Sequence, residues 1–130
     1  AKEEVTKSAK ELVLSPQSEI FLVRKCLHCM GFCIAHEEML LDQGKYYVII
    51  RAVKAKEKEK EQYQREEDYI YGHCLIEDKD PFFIGFLKKV RRILEGMAQK
   101  TLSANAMKQY AGLKKELEQI HTVQQRIKKD

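Results

Sequence analysis

The sequence predicts an α/β fold, the closing half of an open α/β sheet, followed by an antiparallel α-helical coiled-coil hairpin. Three observations carry this. A continuous apolar run, Leu12-Val13-Leu14, stops at Ser15-Pro16 and gives way at once to a helical pattern. Two strand-like segments, CIAHEEML and KYYVII, flank Asp42-Gln43-Gly44. Two heptad series then occupy the last fifty residues. No opening half of a sheet precedes the first strand and the chain does not begin with Met, so it reads as part of a larger protein.

Residues 1–10, AKEEVTKSAK, are polar and hold no core pattern. Residues 11–15 read as a strand of the kind buried on both faces of a parallel sheet. A helix is expected over 18–30, with Ser18 as N-cap and Glu19 in the first turn. Its apolar face is Ile20, Val23, Leu27 and Met30, which puts Arg24, Lys25 and His28 on the other side. Residues 33–41 and 46–54 form an antiparallel hairpin, Gly44 being free to take positive φ. The 46–54 strand should lie between the other two, because the hairpin supplies an antiparallel neighbour and the helical crossover joins parallel strands.

Residues 54–67 are almost purely charged and read as a solvated helix or linker. Glu66–Gly72 reads as one or two helical turns ending at Gly72. Asp80-Pro81 marks a helix start. Phe83, Leu87, Val90, Leu94 and Met97 form one seam, and Tyr110, Leu113, Leu117, Ile120, Gln124 and Ile127 the other. Thr101-Leu102-Ser103 is the expected break, with Ser103 capping the second helix. The divisions are thus 1–54 (sheet part), 55–80 (charged linker with a short helical turn) and 81–130 (hairpin).

Apolar residues make up 44% of the 130, enough for a core, while 34% are charged, which favours long solvated helices. The net charge of +4 and a pI near 8.8 permit a nucleic-acid partner without demanding one. No run of 18 apolar residues exists, so no membrane span is expected. Four cysteines with no secretory features read as reduced thiols of a cytoplasmic protein.

Cys26-x-x-Cys29-x-x-x-Cys33, with His28, His36, His73 and Cys74, invites a zinc reading. Cys26 and Cys29 fall inside the expected helix and lack a second CxxC pair, so core packing is the better account and no metal is assigned. Ser15, His36 and Asp42 can be written as a triad, but Ser15 has no GxSxG setting. No GxGxxG or GxxxxGK[ST] occurs, so the chain itself carries no phosphate-cradling loop. The tyrosines at 46, 47, 69 and 71 can stack on bases, although strand tyrosines more often pack. Lys88, Lys89, Arg91 and Arg92 are more informative. They flank the first seam with only Glu95 as an acid between Phe82 and Thr101, and Lys114-Lys115 and Arg126-Lys128-Lys129 add charge to the second helix. Such a face either follows a phosphate backbone or is a solvated flank.

Residues 11–50 resemble the second half of the bacterial tRNA (adenine-22-N1)-methyltransferases. The matching pieces are Leu12–Gln17, Val23-Arg24-Lys25-Cys26-Leu27, Gly31–Leu41, Asp42–Lys45 and Tyr46–Ile50. Glu66–Gly72, Pro81-Phe82-Phe83 and the closing hairpin extend the resemblance over about residues 10–130. Ser15-Pro16-Gln17 departs from the family's Q-P-N, and His73-Cys74 from its usual Pro. The resemblance implies the C-terminal half of a Rossmann-like methyltransferase domain, S-adenosylmethionine as cofactor of the full-length protein, and tRNA as partner. It places the cofactor loop and catalytic acid in the N-terminal half, so this chain alone should bind no cofactor and be inactive. Ser15 and Gln17, at the carboxyl end of the first strand, would face the target base or merely turn the chain. Lys88, Lys89, Arg91, Arg92, Lys114 and Lys115 would contact tRNA. Two other readings compete: a stand-alone module that docks a partner protein through its heptads, and a thiol- or metal-dependent protein built on Cys26 and Cys29. A bare first strand should also make the isolated chain self-associate by edge pairing or helix packing.

Overall fold

The computed structural model describes residues 10–56 and 62–129. Of the polar start expected at 1–10, residues 1–9 fall outside them, as do residues 57–61 of the charged 54–67 segment. The elements are β1 (Glu11–Leu14), α1 (Ile20–Cys29), β2 (Phe32–Asp42), β3 (Lys45–Lys54), a π-helical turn (Asp68–Gly72), α2 (His73–Glu77), α3 (Pro81–Ser103) and α4 (Met107–Lys128). They form two compact units, residues 1–80 and 81–130.

In the first unit the sheet order is β1-β3-β2, with β3 antiparallel to both neighbours. The 46–54 strand is central, as the crossover argument requires. The hairpin closes on a two-residue turn in which Gln43 (φ 49) and Gly44 (φ 78) are both left-handed, and Asp42 pairs with Lys45. That geometry matches the twist of the strands it joins.

One face of the sheet is the core. Leu12 and Leu14 of β1 lie beside Ala52 and Ile50 of β3, and Phe32, Ile34 and Met39 of β2 complete the face. Helices α1 and α2 pack against β2. On the opposite face Val13 is 66% exposed, contrary to the expectation of a strand buried on both sides. An apolar run predicts a doubly buried strand only when both faces are covered, and among the described residues the helices cover one.

A bulge governs β2. Ile34 pairs with Ala52 but His36 with Arg51, leaving Ala35 as an extra residue. Period-two alternation therefore slips, and Glu37 and Met39 share a face with Phe32 and Ile34.

Helix α1 begins two residues later than expected. Ser18 makes no cap; Glu19 takes that position in a left-handed conformation (φ 52), and its carbonyl accepts the Leu22 and Val23 amides. The buried side is Arg24 and Leu27, while Met30 is 42% exposed, so the helix is rotated from the expected Ile20-Val23-Leu27-Met30 face. Residues 68–77, read as part of a linker with a short helical turn, bury Asp68, Tyr69, Gly72, Leu75 and Ile76. Asp80 accepts the Met39 amide at 3.3 Å.

In the second unit α3 starts at Pro81, as the Asp80-Pro81 pair indicated, and runs through Thr101-Leu102-Ser103 without a break. The connection is Ala104-Asn105-Ala106, with Asn105 at φ 59 and Ala106, not Ser103, at the N-cap. The short turn and the Arg91–Gln124 bond make the two helices antiparallel. Phe83, Leu87, Ile120 and Val123 are fully buried, but Met97 is 48% exposed and Ala98 takes its place. A 4-3-4-3 series drifts around a helix of 3.6 residues per turn, and here the contact passes from Leu94 to Ala98.

Candidate functional site

The tip after β1 leaves Ser15 and Gln17 exposed and Pro16 half-buried. A groove of about 350 Å³ runs beside it, walled by Leu12, Leu14, Leu22, Cys26 and Met30, with Ser18 and Glu19 as polar lining. Ser15 and Gln17 do not line that groove.

The densest polar arrangement is buried and was not anticipated. Arg24, 1% exposed, donates through Nε to Glu37 Oε1 at 2.8 Å, with Nη2 also 2.8 Å from that oxygen. Its Nη1 donates to the carbonyls of Tyr69 (2.7 Å) and Ile70 (3.0 Å), and Nη2 to that of Tyr71 (3.5 Å). The bulge at Ala35 is what turns Glu37 inward to meet it. Gly72 closes the site at φ 103; a Cβ there would stand 2.7 Å from Arg24 Nη2 and 2.9 Å from Glu37 Oε2. Burial pushes the Glu37 pKa up, against the opposing pull of the Arg24 guanidinium and the Cys74 amide. Glu37 Oε2 is the one buried side-chain polar atom among the described residues that has no hydrogen-bond partner. This arrangement binds the π-helical turn to the sheet, and the side chains of Arg24 and Glu37 are 2% and 0% exposed.

An aromatic layer adjoins it. His28 Nδ1 lies 2.9 Å from the Tyr69 hydroxyl, which also accepts the Tyr63 amide at 3.1 Å. Tyr63 stacks on His73, whose Nδ1 is 3.2 Å from Asp68. Burial, and then His73, lower the His28 pKa. Burial, and then Glu37, push the Cys74 thiol up to about 12. Cys26 and Cys29 are exposed, and no metal-ligand cluster occurs among the described residues.

The basic residues do not all share one face. Lys88, Arg91 and Arg92 of α3 meet Lys128 of α4 around a groove of about 510 Å³. Arg91 is half-buried; its Nη1 donates to Gln124 Oε1 at 2.6 Å and its Nε lies 3.4 Å from Glu95. Lys89 is exposed but does not line the groove. Lys114 and Lys115 are exposed on α4. They lie thirteen or fourteen residues before Lys128, about 20 Å along the helix. Spacing alone revealed the charge but not this division, because the groove depends on which α4 residue lies opposite Arg91.

Sequence reasoning placed Arg24 with the solvent-facing residues of α1. A usable signal was present: Ile20, Arg24 and Leu27 also follow 4-3 spacing. Arg24 and Glu37 both fall inside the segments that carry the family resemblance.

No helix among the described residues is long and apolar enough to cross a membrane. The family described as tRNA (adenine(22)-N(1))-methyltransferase matches residues 1–122. Comparison with curated proteins gives no match. Among solved structures, Streptococcus pneumoniae Sp1610, a candidate tRNA (m1A22) methyltransferase, is similar at a TM-score of 0.79 and 22% identity, over 94% of this chain and 53% of that one. M. capricolum TrmK in complex with its cofactor product S-adenosyl-homocysteine gives 0.74 and 15%, over 98% and 56%. The B. subtilis M1A22 tRNA methyltransferase TrmK gives 0.70 and 17%, over 87% and 50%. The chain thus spans about half the length of the structures it matches. At these identities the likeness speaks for the fold.

Proposed function

The chain belongs to the tRNA (adenine(22)-N(1))-methyltransferase family, and from that premise we propose that it is the C-terminal part of an enzyme that methylates N1 of an adenine in tRNA. S-adenosylmethionine is the methyl donor of the whole enzyme in this reading, and the cytoplasm its place of action. The residues of this chain do not fit that cofactor. The groove beside the β1 tip is walled by apolar side chains, with only Ser18 and Glu19 as polar lining, and no glycine-rich loop occurs in the sequence. Residues 1–130 alone are therefore inactive in this proposal, and no catalytic step is assigned to them.

What the chain contributes is tRNA contact through α3 and α4, acting as an antiparallel coiled coil. One observation carries this: Lys88, Arg92 and Lys128 converge on one groove, and among the described residues none has an ion-pair partner. Unneutralised cations release counterions when they meet phosphates. Ser15 and Gln17 are proposed to lie near the target base, which their exposure at the carboxyl end of β1 supports. The test is replacement of Lys88, Lys89, Arg91 and Arg92 by Ala. Binding to tRNA should weaken and its salt dependence flatten, with helicity unchanged. An unchanged salt slope would show the face to be solvated surface only.

One observation favours a second reading, a protein-docking module. Phe82, Ile93 and Met97 form an outer apolar stripe on α3 and are 46–52% exposed. Retention of a protein by the full chain, lost on replacing Ile93 and Met97 with Gln while tRNA binding persists, would support it.

A further inference from the structure

The groove between α3 and α4 is not a plain basic surface. Its floor is apolar: Leu87 is 1% exposed, and Ile84 and Ile127 are half-buried beside it. Its rim carries Lys88, Arg92 and Lys128. Arg91 lines the groove as well; its Nη1 donates to Gln124 Oε1 and its Nε lies 3.4 Å from Glu95, so the guanidinium is bonded at one end and ion-paired at the other. Glu95 is the groove's one acid, and Arg91 faces it. Gln124 accepts through Oε1, which leaves its amide NH₂ to donate.

A surface that only tracks a phosphate backbone needs charge; it needs neither an apolar floor nor a planar cation beside it. An unstacked nucleotide needs all three: cations for the phosphate, apolar surface under the base, and a flat partner for its π-face. A volume of about 510 Å³ is of the size that holds a small ligand. We infer that this groove seats one unstacked nucleotide of a single-stranded RNA segment, its phosphate against Lys88, Arg92 and Lys128, its base over Ile84 and Ile127 against the Arg91 plane. The Gln124 NH₂ is placed to donate to an acceptor on the base edge. The inference rests on the reading of α3 and α4 as a tRNA-contacting pair, and adds that the contact is made to a loop or unpaired position and not to a duplex.

The test uses the full chain with two fluorescent RNAs, a short unstructured single strand and a blunt duplex of equal length, titrated over a series of salt concentrations. Charge alone favours the duplex, whose phosphates are denser. The inference requires the single strand to bind more tightly. Arg91→Lys keeps the charge and removes the planar surface, so it should reduce single-strand affinity at least about fivefold with the salt slope held. Replacing Lys88, Arg92 and Lys128 together with Ala should lower that slope by about 2. If the duplex binds as well as the single strand, and the triple variant still lowers the slope, the inference fails and the tRNA-contact reading stands. If neither RNA binds, both fail. If Arg91→Lys lowers affinity for the two RNAs equally, Arg91 acts through charge or helix packing and no base is seated there.

Discussion

Gly72→Ala tests the buried clamp directly. At most positions this exchange is neutral or stabilises by about 0.4–1 kcal/mol, because it narrows the unfolded ensemble. At Gly72 the structure requires the opposite sign. The residue sits at φ 103, where a side chain costs about 1–3 kcal/mol in backbone strain. The new methyl would stand 2.7 Å from Arg24 Nη2 and 2.9 Å from Glu37 Oε2. Neither neighbour can retreat freely. The guanidinium is held by Glu37 and by three carbonyls, and both side chains are almost fully buried. Disrupting a buried ion pair costs about 3–5 kcal/mol, of which a forced shift incurs a part. About 4 kcal/mol of destabilisation is expected in sum. For a unit of 80 residues, at about 0.05–0.15 kcal/mol per residue, that is a large share of the total stability.

The assay is urea unfolding followed by tyrosine fluorescence. Five of the six tyrosines, at 46, 47, 63, 69 and 71, lie in the first unit, so the signal reports on it. Gly96→Ala is the control, followed by far-UV circular dichroism because it lies in the second unit: it is within α3 with nothing within 4 Å of its added Cβ, and should stabilise its helix by about 1 kcal/mol. Backbone strain and the clash can be separated. In a Glu37→Ala background the strain persists and the carboxylate clash is gone, so the Gly72 substitution should cost less there than in the wild-type chain. A Gly72→Ala protein within about 0.5 kcal/mol of wild type, where surface substitutions usually fall, would refute the clamp as described.

Four further outcomes follow from the same geometry. His28 should titrate below its ordinary 6.5 in an NMR pH series, and His73→Asn should raise it part of the way. A depressed imidazole pKa means the unfolded chain binds the extra proton, so this contribution to stability is present above pH 6.5 and lost as pH falls through the folded value. Iodoacetamide at pH 8 should modify exposed Cys26 and Cys29 in the folded chain well before half-buried Cys74, whose thiol is pushed up to about 12; labelling of Cys74 as fast as that of Cys26 and Cys29 would contradict this. Calorimetry should show no S-adenosylmethionine binding to these 130 residues, and micromolar affinity would demand a site not described above. Sedimentation over a wide concentration range should show self-association through the β1 edge or the outer stripe of α3, whereas a monomer throughout would mean that the β1 edge is covered.

The elements that could be read from sequence are those set by local chemistry. The Ser15-Pro16 stop, the hairpin turn and the Asp80-Pro81 start each depend on residues within a few positions, and each falls where expected. The central position of β3 followed from connection rules alone. What stayed hidden depends on partners distant in sequence. Ala98 replaces Met97 because of the opposing helix, and residues 68–77 fold because α1 and β2 offer them a surface. The basic residues were visible as a list, but their separation into a groove set and an outlying pair depends on the register of α3 against α4.

The clamp shows why the buried site was the hardest to read, and why its members look like errors when taken singly. Arg24 is a charge on the packed face of α1, and Glu37 a charge on the packed face of β2. Each alone argues against burial. The bulge at Ala35 aligns them, and two opposite defects cancel where the helix crosses the strand. Charge pairing alone would not justify the burial, since apolar replacements of such pairs are often as stable. The π-helical turn supplies the rest of the reason. It ends at Gly72, and Arg24 accepts the task of bonding the carbonyls of Tyr69, Ile70 and Tyr71 at that end. A helix end buried without partners is unstable, so one guanidinium satisfies a carboxylate and a helix terminus together. Lys, with a single ammonium, cannot span both. The arginine is therefore fixed by the backbone it caps as much as by the acid it faces, and that backbone joins the segment preceding α3 to the sheet.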